Sequence, residues 1–140
     1  MPSPQQRFHE QVWQREMAAD PNNEVPVALV NDALGIGFEV VTRKDQFPCM
    51  YEWQNFQAGQ YAFGIEPSTN HVLGHGAARE RGELIWLEHD EERRYDTTFR
   101  ILGDKAAIAA SEARIIGLSR QPEADYPPLS GNHAPIGGRS

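Results

Sequence analysis

The sequence predicts a mainly β protein, built largely from antiparallel strands, with one helix near the C-terminus. Most of residues 27–102 alternate large apolar side chains with small or polar ones at a period of two, which is the spacing of a half-buried strand. Short turn signals separate these runs, so consecutive strands are expected to pair as antiparallel neighbours. Only residues 104–118 are rich in alanine and other helix-favouring side chains.

The predicted strands cover residues 27–31, 34–43, 48–57, 60–66, 82–88 and 94–102. The first two are expected to pair around a short turn at Asn31-Asp32, and the third and fourth around a turn at Ala58-Gly59. Pro67 is expected to end the fourth strand, because proline cannot donate to the hydrogen-bond ladder. Residues 71–81 are predicted to form a long loop.

The two ends of the chain differ in pattern from its middle. Residues 1–26 are poorly patterned and fit either a short helix or an irregular strand. Asp104 is a candidate N-cap for the helix, and Gly117 is a candidate for its end. Residues 119–140 are rich in Pro, Gly, Ser and Asn and are predicted to be a disordered tail. The organised domain is therefore expected to span residues 27–118.

Charge and composition exclude several classes of partner. Twenty acidic residues against 13 Lys and Arg give a formal net charge of −7. This argues against nucleic acid and anionic membranes, which bind basic surfaces. The start of the chain lacks the pattern of a secretory signal, and no apolar run is long enough to span a bilayer. The single cysteine, Cys49, forms no internal disulfide, so a cytoplasmic location is expected.

The stretch from Gln60 to Asn70 contains the leading candidate for chemistry, Glu66. In a strand, its side chain would share one face with Ala62 and Gly64, which leave room above the sheet, while the large apolar side chains pack below. A carboxylate over such a floor suits a general base or a hydroxyl acceptor. The alternative is an edge-strand glutamate facing solvent before a proline turn.

Other reactive side chains give weaker signals. His71 and His75 lie four residues apart, but the glycines around them disfavour a helical metal site, so no metal or other cofactor is predicted. Cys49 is expected to be a buried, inert thiol. Arg79 and Arg81 could clamp an anionic group, or could simply form a solvated loop face.

Aromatic side chains suggest a carbohydrate platform. Aromatic faces stack on the apolar faces of sugars, while carboxylates, amides and Arg bind the hydroxyl groups. Each aromatic residue taken alone is better explained by core packing. Beside Glu66, the predicted ligand contacts are Trp53, Asn70, His75 and Arg79.

The segment from Val27 to about Gly103 resembles the aldose 1-epimerase (galactose mutarotase-like) superfamily, and in particular its uncharacterised epimerase-related branch. The most specific part of the resemblance is the stretch from Gly64 to Asn70. The resemblance covers about half of this chain and implies the C-terminal half of a β-sandwich, a partial galactose mutarotase-like supersandwich. The residues that carry it are Asn31, Leu34, Gly35, Gly37, Glu39, Phe47, Pro48, Trp53, Gly59, Tyr61, Gly64, Glu66, Pro67, Asn70, Arg79, Gly82 and Leu87.

The resemblance implies that a sugar ring is opened and reclosed. In that mechanism a Glu takes the proton of the anomeric hydroxyl and a His protonates the ring oxygen. Glu66 matches the position of the Glu. No motif in this chain matches the acid His, because His9 precedes the patterned strands, and His71 and His75 follow Glu66.

Three functions are therefore compared. The first is an aldose 1-epimerase-like isomerase that interconverts sugar anomers with Glu66 as general base. The second is a noncatalytic sugar-binding module. The third is a fragment that pairs its exposed sheet edges, in a homo-oligomer or with another subunit. The partner expected for the first two is a small-molecule sugar.

Overall fold

The structure is a computed structural model that describes residues 2–119, and these residues form six strands and two helices. In chain order the elements are β1 (Gln11–Arg15), β2 (Glu24–Asn31), β3 (Ile36–Arg43), β4 (Cys49–Asn55), β5 (Ala62–Ser68), α1 (His75–Glu80), β6 (Thr97–Leu102) and α2 (Lys105–Ser119). Neither helix is long and apolar enough to cross a membrane.

The strands form two three-stranded sheets, with strand orders β1-β4-β5 and β2-β3-β6. Every pairing within the two sheets is antiparallel. The predicted fold class is therefore confirmed: the protein is mainly β, with an arrangement consistent with a β-sandwich. The strand β1 comes from the segment that the sequence left open between helix and strand, and it pairs with β4.

The hairpin of β2 and β3 is confirmed and depends on a local turn. The carbonyl of Asn31 accepts the N–H of Gly35 at 2.9 Å, and its side-chain oxygen accepts the N–H of Leu34 at 3.1 Å. Gly35 has a φ of +64°, which glycine adopts without strain. The strand β2 begins earlier than predicted and includes Pro26, which an edge strand tolerates.

The hairpin of β4 and β5 is also confirmed, but its second strand has different limits. The strand β5 runs from Ala62 to Ser68, so the prediction that Pro67 ends the strand is wrong. Pro67 pairs opposite Met50 at the edge of the sheet, where a missing N–H donor can be accommodated.

The large apolar side chains of β5 face the other sheet. Phe63, Ile65 and Pro67 line a crevice of about 300 Å³ together with Leu29, Phe38, Val40, Thr97 and Phe99 of the sheet β2-β3-β6. The expected packing of this face therefore exists between the two sheets. The opposite face of β5, which carries Gly64 and Glu66, is turned away from that crevice.

Three predictions for residues 71–102 are wrong. Residues 82–88 form no strand, because no neighbouring segment of the described chain pairs with them, and Trp86 remains 70% exposed. The predicted loop 71–81 contains α1, whose Ala78 is buried. The last strand begins at Thr97 rather than at residue 94, because Asp96 is bound by Gln46 through both its side chain and its backbone N–H.

The predicted helix is confirmed as α2. Asp104 caps it by accepting the N–H of Ala107 at 2.8 Å, as expected. Gly117 does not end the helix, which continues to Ser119, so Ser119 belongs to α2 rather than to the predicted tail. The rest of that tail, residues 120–140, lies outside the described residues.

A buried carboxylate fixes α2 against the sheet β2-β3-β6. Glu39 is 3% exposed and accepts hydrogen bonds from Ser111 Oγ at 2.7 Å and from Arg100 Nη1 at 2.6 Å. Burial by itself would raise the pKa of Glu39, but the bonds from Ser111 and Arg100 outweigh it and hold the pKa below its usual value. About one turn further along α2, Arg114 pairs with Asp20 and Glu24.

We expect Glu39→Gln to destabilise the protein in a pH-dependent way. Because the folded-state pKa of Glu39 is lowered, its contribution is fully present above the unfolded-state pKa and disappears as pH falls through the folded-state value. Urea unfolding should show a loss of about 1–3 kcal/mol at neutral pH, and the difference from wild type should shrink below about pH 4.

The control is Glu112→Gln, at an exposed position of the same helix. Its free energy of unfolding should stay within about 0.5 kcal/mol of wild type. A Glu39→Gln deficit that is independent of pH would contradict this account of the buried carboxylate.

Candidate functional site

The register of β4 and β5 brings Trp53, Gly64 and Glu66 to one face of the sheet. Trp53 pairs directly with Gly64, and Tyr51 pairs directly with Glu66. Because directly paired residues point to the same side of an antiparallel sheet, these four positions form one surface. Of the sequence-predicted site residues, the structure therefore brings Trp53 and Glu66 together.

The carboxylate of Glu66 lies over the backbone of Gly64. Its Oε1 is 2.8 Å from the position that a Cβ on Gly64 would occupy. A side chain larger than glycine at position 64 would displace the carboxylate. The space that the sequence predicted above the small residues is therefore occupied, at Gly64, by the carboxylate of Glu66 itself. Glu66 is exposed, and its carboxylate has no hydrogen bond or ion pair within residues 2–119. Its oxygens are therefore open to a ligand.

Trp53 connects this face to the N-terminal segment. Its indole Nε1 donates a hydrogen bond to Glu10 Oε2 at 3.1 Å, and its backbone pairs with Val12 of β1. The ring is half-buried beside Gly64. The indole N–H is thus already engaged, while the ring face can still contact an apolar surface.

Tyr51, which is buried on this same face of the sheet, contacts the ring of His71. The Tyr51 hydroxyl accepts the N–H of Val72 at 3.2 Å and lies 2.9 Å from His71 Nδ1. When the His71 ring carries its proton on Nε2, the Tyr51 hydroxyl donates to Nδ1. Nε2 lies 3.9 Å from Glu83 Oε1. Burial raises the pKa of Tyr51, which keeps the phenol neutral.

Cys49 lies beside the same imidazole but has the character of an inert thiol. Its Sγ is 3.7 Å from His71 Nδ1, and the side chain is half-buried. Burial raises the pKa of the thiol, which disfavours the nucleophilic thiolate. No group of three or more His, Cys, Asp or Glu side chains in the described chain is arranged to hold a metal ion.

A cavity of about 290 Å³ opens beyond the C-terminal end of β5. Asn70 enters its wall from a tight turn in which Ser68 Oγ donates to the Asn70 carbonyl at 2.8 Å. The Asn70 side chain also donates to the His71 carbonyl at 3.0 Å. The residues lining the cavity are Thr69, Asn70, His75, Leu84, Ile85, Leu87, Arg93 and Tyr95.

The predicted site residues thus fall into two neighbouring groups and one outlier. Trp53 and Glu66 share the sheet face, Asn70 and His75 line the cavity, and Arg79 lies exposed on α1 without lining it.

His71 lies between the two groups. Its ring contacts Tyr51, the strand partner of Glu66. Its carbonyl accepts a hydrogen bond from the Asn70 side chain. Sequence reasoning treated it as a loop histidine. The sequence also gives no sign of Arg93. This residue stands in a stretch of acidic and basic side chains, and no pattern in that stretch indicates which side chain lines the cavity.

Comparison with known proteins identifies the family. Residues 1–101 match the family model described as a domain of unknown function, DUF4432. The chain belongs to the DUF4432 family. No protein among the curated sequences matches it.

A solved structure extends this DUF4432 assignment to a wider superfamily. The chain is similar to the crystal structure of a candidate aldose 1-epimerase from Klebsiella pneumoniae subsp. pneumoniae, with 29% sequence identity and a TM-score of 0.76. The match covers 83% of this chain and 31% of that chain, so this chain spans about a third of the length of its structural relative. The resemblance to the aldose 1-epimerase superfamily is confirmed, and the fold is epimerase-like.

Proposed function

We propose that this protein binds an aldose on the face of β4 and β5 and catalyses the interconversion of its anomers, with Glu66 as general base. The observation that carries the proposal is the exposed Glu66 carboxylate, seated over Gly64 and without a partner in the described chain. The likeness to a candidate aldose 1-epimerase supports the same reaction class. The free thiol of Cys49 supports a cytoplasmic location.

The proposed reaction is a proton transfer coupled to ring opening. Glu66 removes the proton from the anomeric hydroxyl, the bond between the anomeric carbon and the ring oxygen breaks, and the ring oxygen takes up a proton. Rotation of the resulting aldehyde and reversal of these steps give the other anomer. Because no acid histidine matches the family pattern, water supplies the second proton, and the rate lacks the factor of about 10²–10⁴ that a positioned acid provides.

Substrate contacts are proposed for the neighbouring side chains. The half-buried ring of Trp53 offers an apolar face to the C–H side of a sugar. Asn70 and His75 offer hydrogen bonds to hydroxyl groups from the cavity. Arg79 remains a weaker candidate, because it lies on the exposed surface of α1.

We expect the wild-type protein to accelerate anomer interconversion of at least one aldose above the rate in buffer. Glu66→Gln should remove the acceleration, because an amide cannot accept the anomeric proton. Exchange-resolved NMR or polarimetry over a panel of aldoses measures the rate. Glu80→Gln, at an exposed position of α1, should keep the wild-type rate.

The outcomes separate the enzyme from a sugar-binding module. A wild-type rate equal to that of Glu66→Gln across the whole panel contradicts the catalytic proposal. Calorimetry that then still detects sugar binding favours the noncatalytic module.

A second candidate function, self-association, is favoured by the apolar surface around β6. Phe99 and Ile101 are 65% and 69% exposed, and the Phe99 ring stacks on Phe38 with centroids 5.7 Å apart. Within the described residues β6 is one of the two edge strands of its sheet. We propose that two copies pair their β6 strands antiparallel, since identical edges meet across a two-fold axis.

Light scattering coupled to size-exclusion chromatography tests this association. We expect wild type to be dimeric and Phe99→Lys to be monomeric, because a charge at the interface loses its hydration on pairing. Val72→Lys, at another exposed apolar position, should remain dimeric. A monomeric wild type would contradict the pairing of β6 strands.

A further inference from the structure

Arg93 differs from most of the nine arginines in residues 2–119 because it has no carboxylate partner among those residues. It lines the cavity beyond β5, with its guanidinium carbon 6.0 Å from the centroid of the Tyr95 ring. Its neighbour Arg94 pairs with Asp96 at 2.8 Å. Six arginines of the described chain form ion pairs: Arg15, Arg43, Arg81, Arg94, Arg100 and Arg114.

The other polar groups of the cavity suit an anion. No Asp or Glu lines it, whereas Thr69, Asn70 and His75 provide a hydroxyl, an amide and an imidazole beside Arg93. Hydroxyl, amide and guanidinium groups all donate hydrogen bonds, and guanidinium binds the oxygens of phosphate or carboxylate in a fixed planar geometry. An unpaired guanidinium without a lining carboxylate therefore favours a negatively charged ligand.

The wall of the cavity begins close to Glu66 along the chain. Thr69 follows the last residue of β5, and Glu66 lies three residues before Thr69. At about 3.3 Å per residue, their Cα atoms are separated by at most about 10 Å. The backbone at Thr69, where the cavity wall begins, therefore lies within that distance of Glu66.

We infer that the substrate is an anionic sugar, a sugar phosphate or a sugar acid, whose charged group binds Arg93 while its anomeric end meets Glu66. This inference rests on the proposed function and names the class of sugar that the site accepts. The phosphate of a hexose 6-phosphate and the carboxylate of a hexuronate share the required chemistry, since both present anionic oxygens at the end of the ring remote from the anomeric carbon.

Isothermal titration calorimetry of the full chain tests the inference. The ligands are D-glucose, D-glucose 6-phosphate, D-glucuronate and inorganic phosphate, each measured with wild type, Arg93→Gln and Arg94→Gln. On wild type we expect at least one of the two anionic sugars to bind about 10- to 100-fold more tightly than glucose. Arg93→Gln should abolish that gain, and Arg94→Gln should keep it. The anionic sugar that shows the gain identifies the source of the charge.

The outcomes distinguish this inference from the proposed function on which it rests. Glucose binding without any gain from either charged group overturns the anionic-sugar inference and leaves the proposed function standing. Equal losses in Arg93→Gln and Arg94→Gln, or inorganic phosphate binding as tightly as the sugar phosphate, also overturn it. If none of the three sugars binds, both proposals fail.

Discussion

The candidate site depends on the antiparallel register between β4 and β5. That register pairs Trp53 with Gly64 and Tyr51 with Glu66, so one face carries a half-buried aromatic ring, a bare backbone position and an exposed carboxylate. A shift of one residue would turn Glu66 toward the crevice between the sheets and bring Ile65 to the surface. The apolar packing of Phe63 and Ile65 against the other sheet therefore also holds Glu66 in place.

The buried Tyr51 holds residues that lie next to the candidate site. Tyr51 is 3% exposed and cannot itself bind a ligand, but its hydroxyl holds the ring of His71 and the N–H of Val72. Through His71 this arrangement reaches Asn70 and the cavity beyond β5. Hydrogen bonds through Tyr51 and His71 thus link the sheet face to the turn that brings Asn70 into the cavity wall.

Local signals predicted the parts of the fold that short-range interactions determine. The turn at Asn31, the pairing of β4 with β5 and the cap at Asp104 all depend on residues close together in sequence. Alternation also predicted correctly that Gly64 and Glu66 share a face. It cannot show whether a partner strand exists, which is why residues 82–88 were predicted as a strand and are a loop.

The remaining differences come from contacts between distant residues. The strand β1 is exposed along its length and is specified by pairing with β4, about forty residues away. Arg93 reaches the cavity through an irregular loop, so no periodic pattern predicts its direction. The stretch around Glu66 is recognisable in the sequence, whereas the positions of His71 and Arg93 depend on how loops pack onto the end of the sheet.

The most direct measurement is a titration of the isotope-labelled chain with an aldose or aldose phosphate, followed by two-dimensional ¹H–¹⁵N NMR. The account predicts concentration-dependent shifts of the Gly64 amide and the Trp53 indole N–H, which flank the Glu66 carboxylate. Saturable binding that leaves both signals unchanged, or no binding by any sugar tested, would contradict the claim that this face of the sheet receives a sugar.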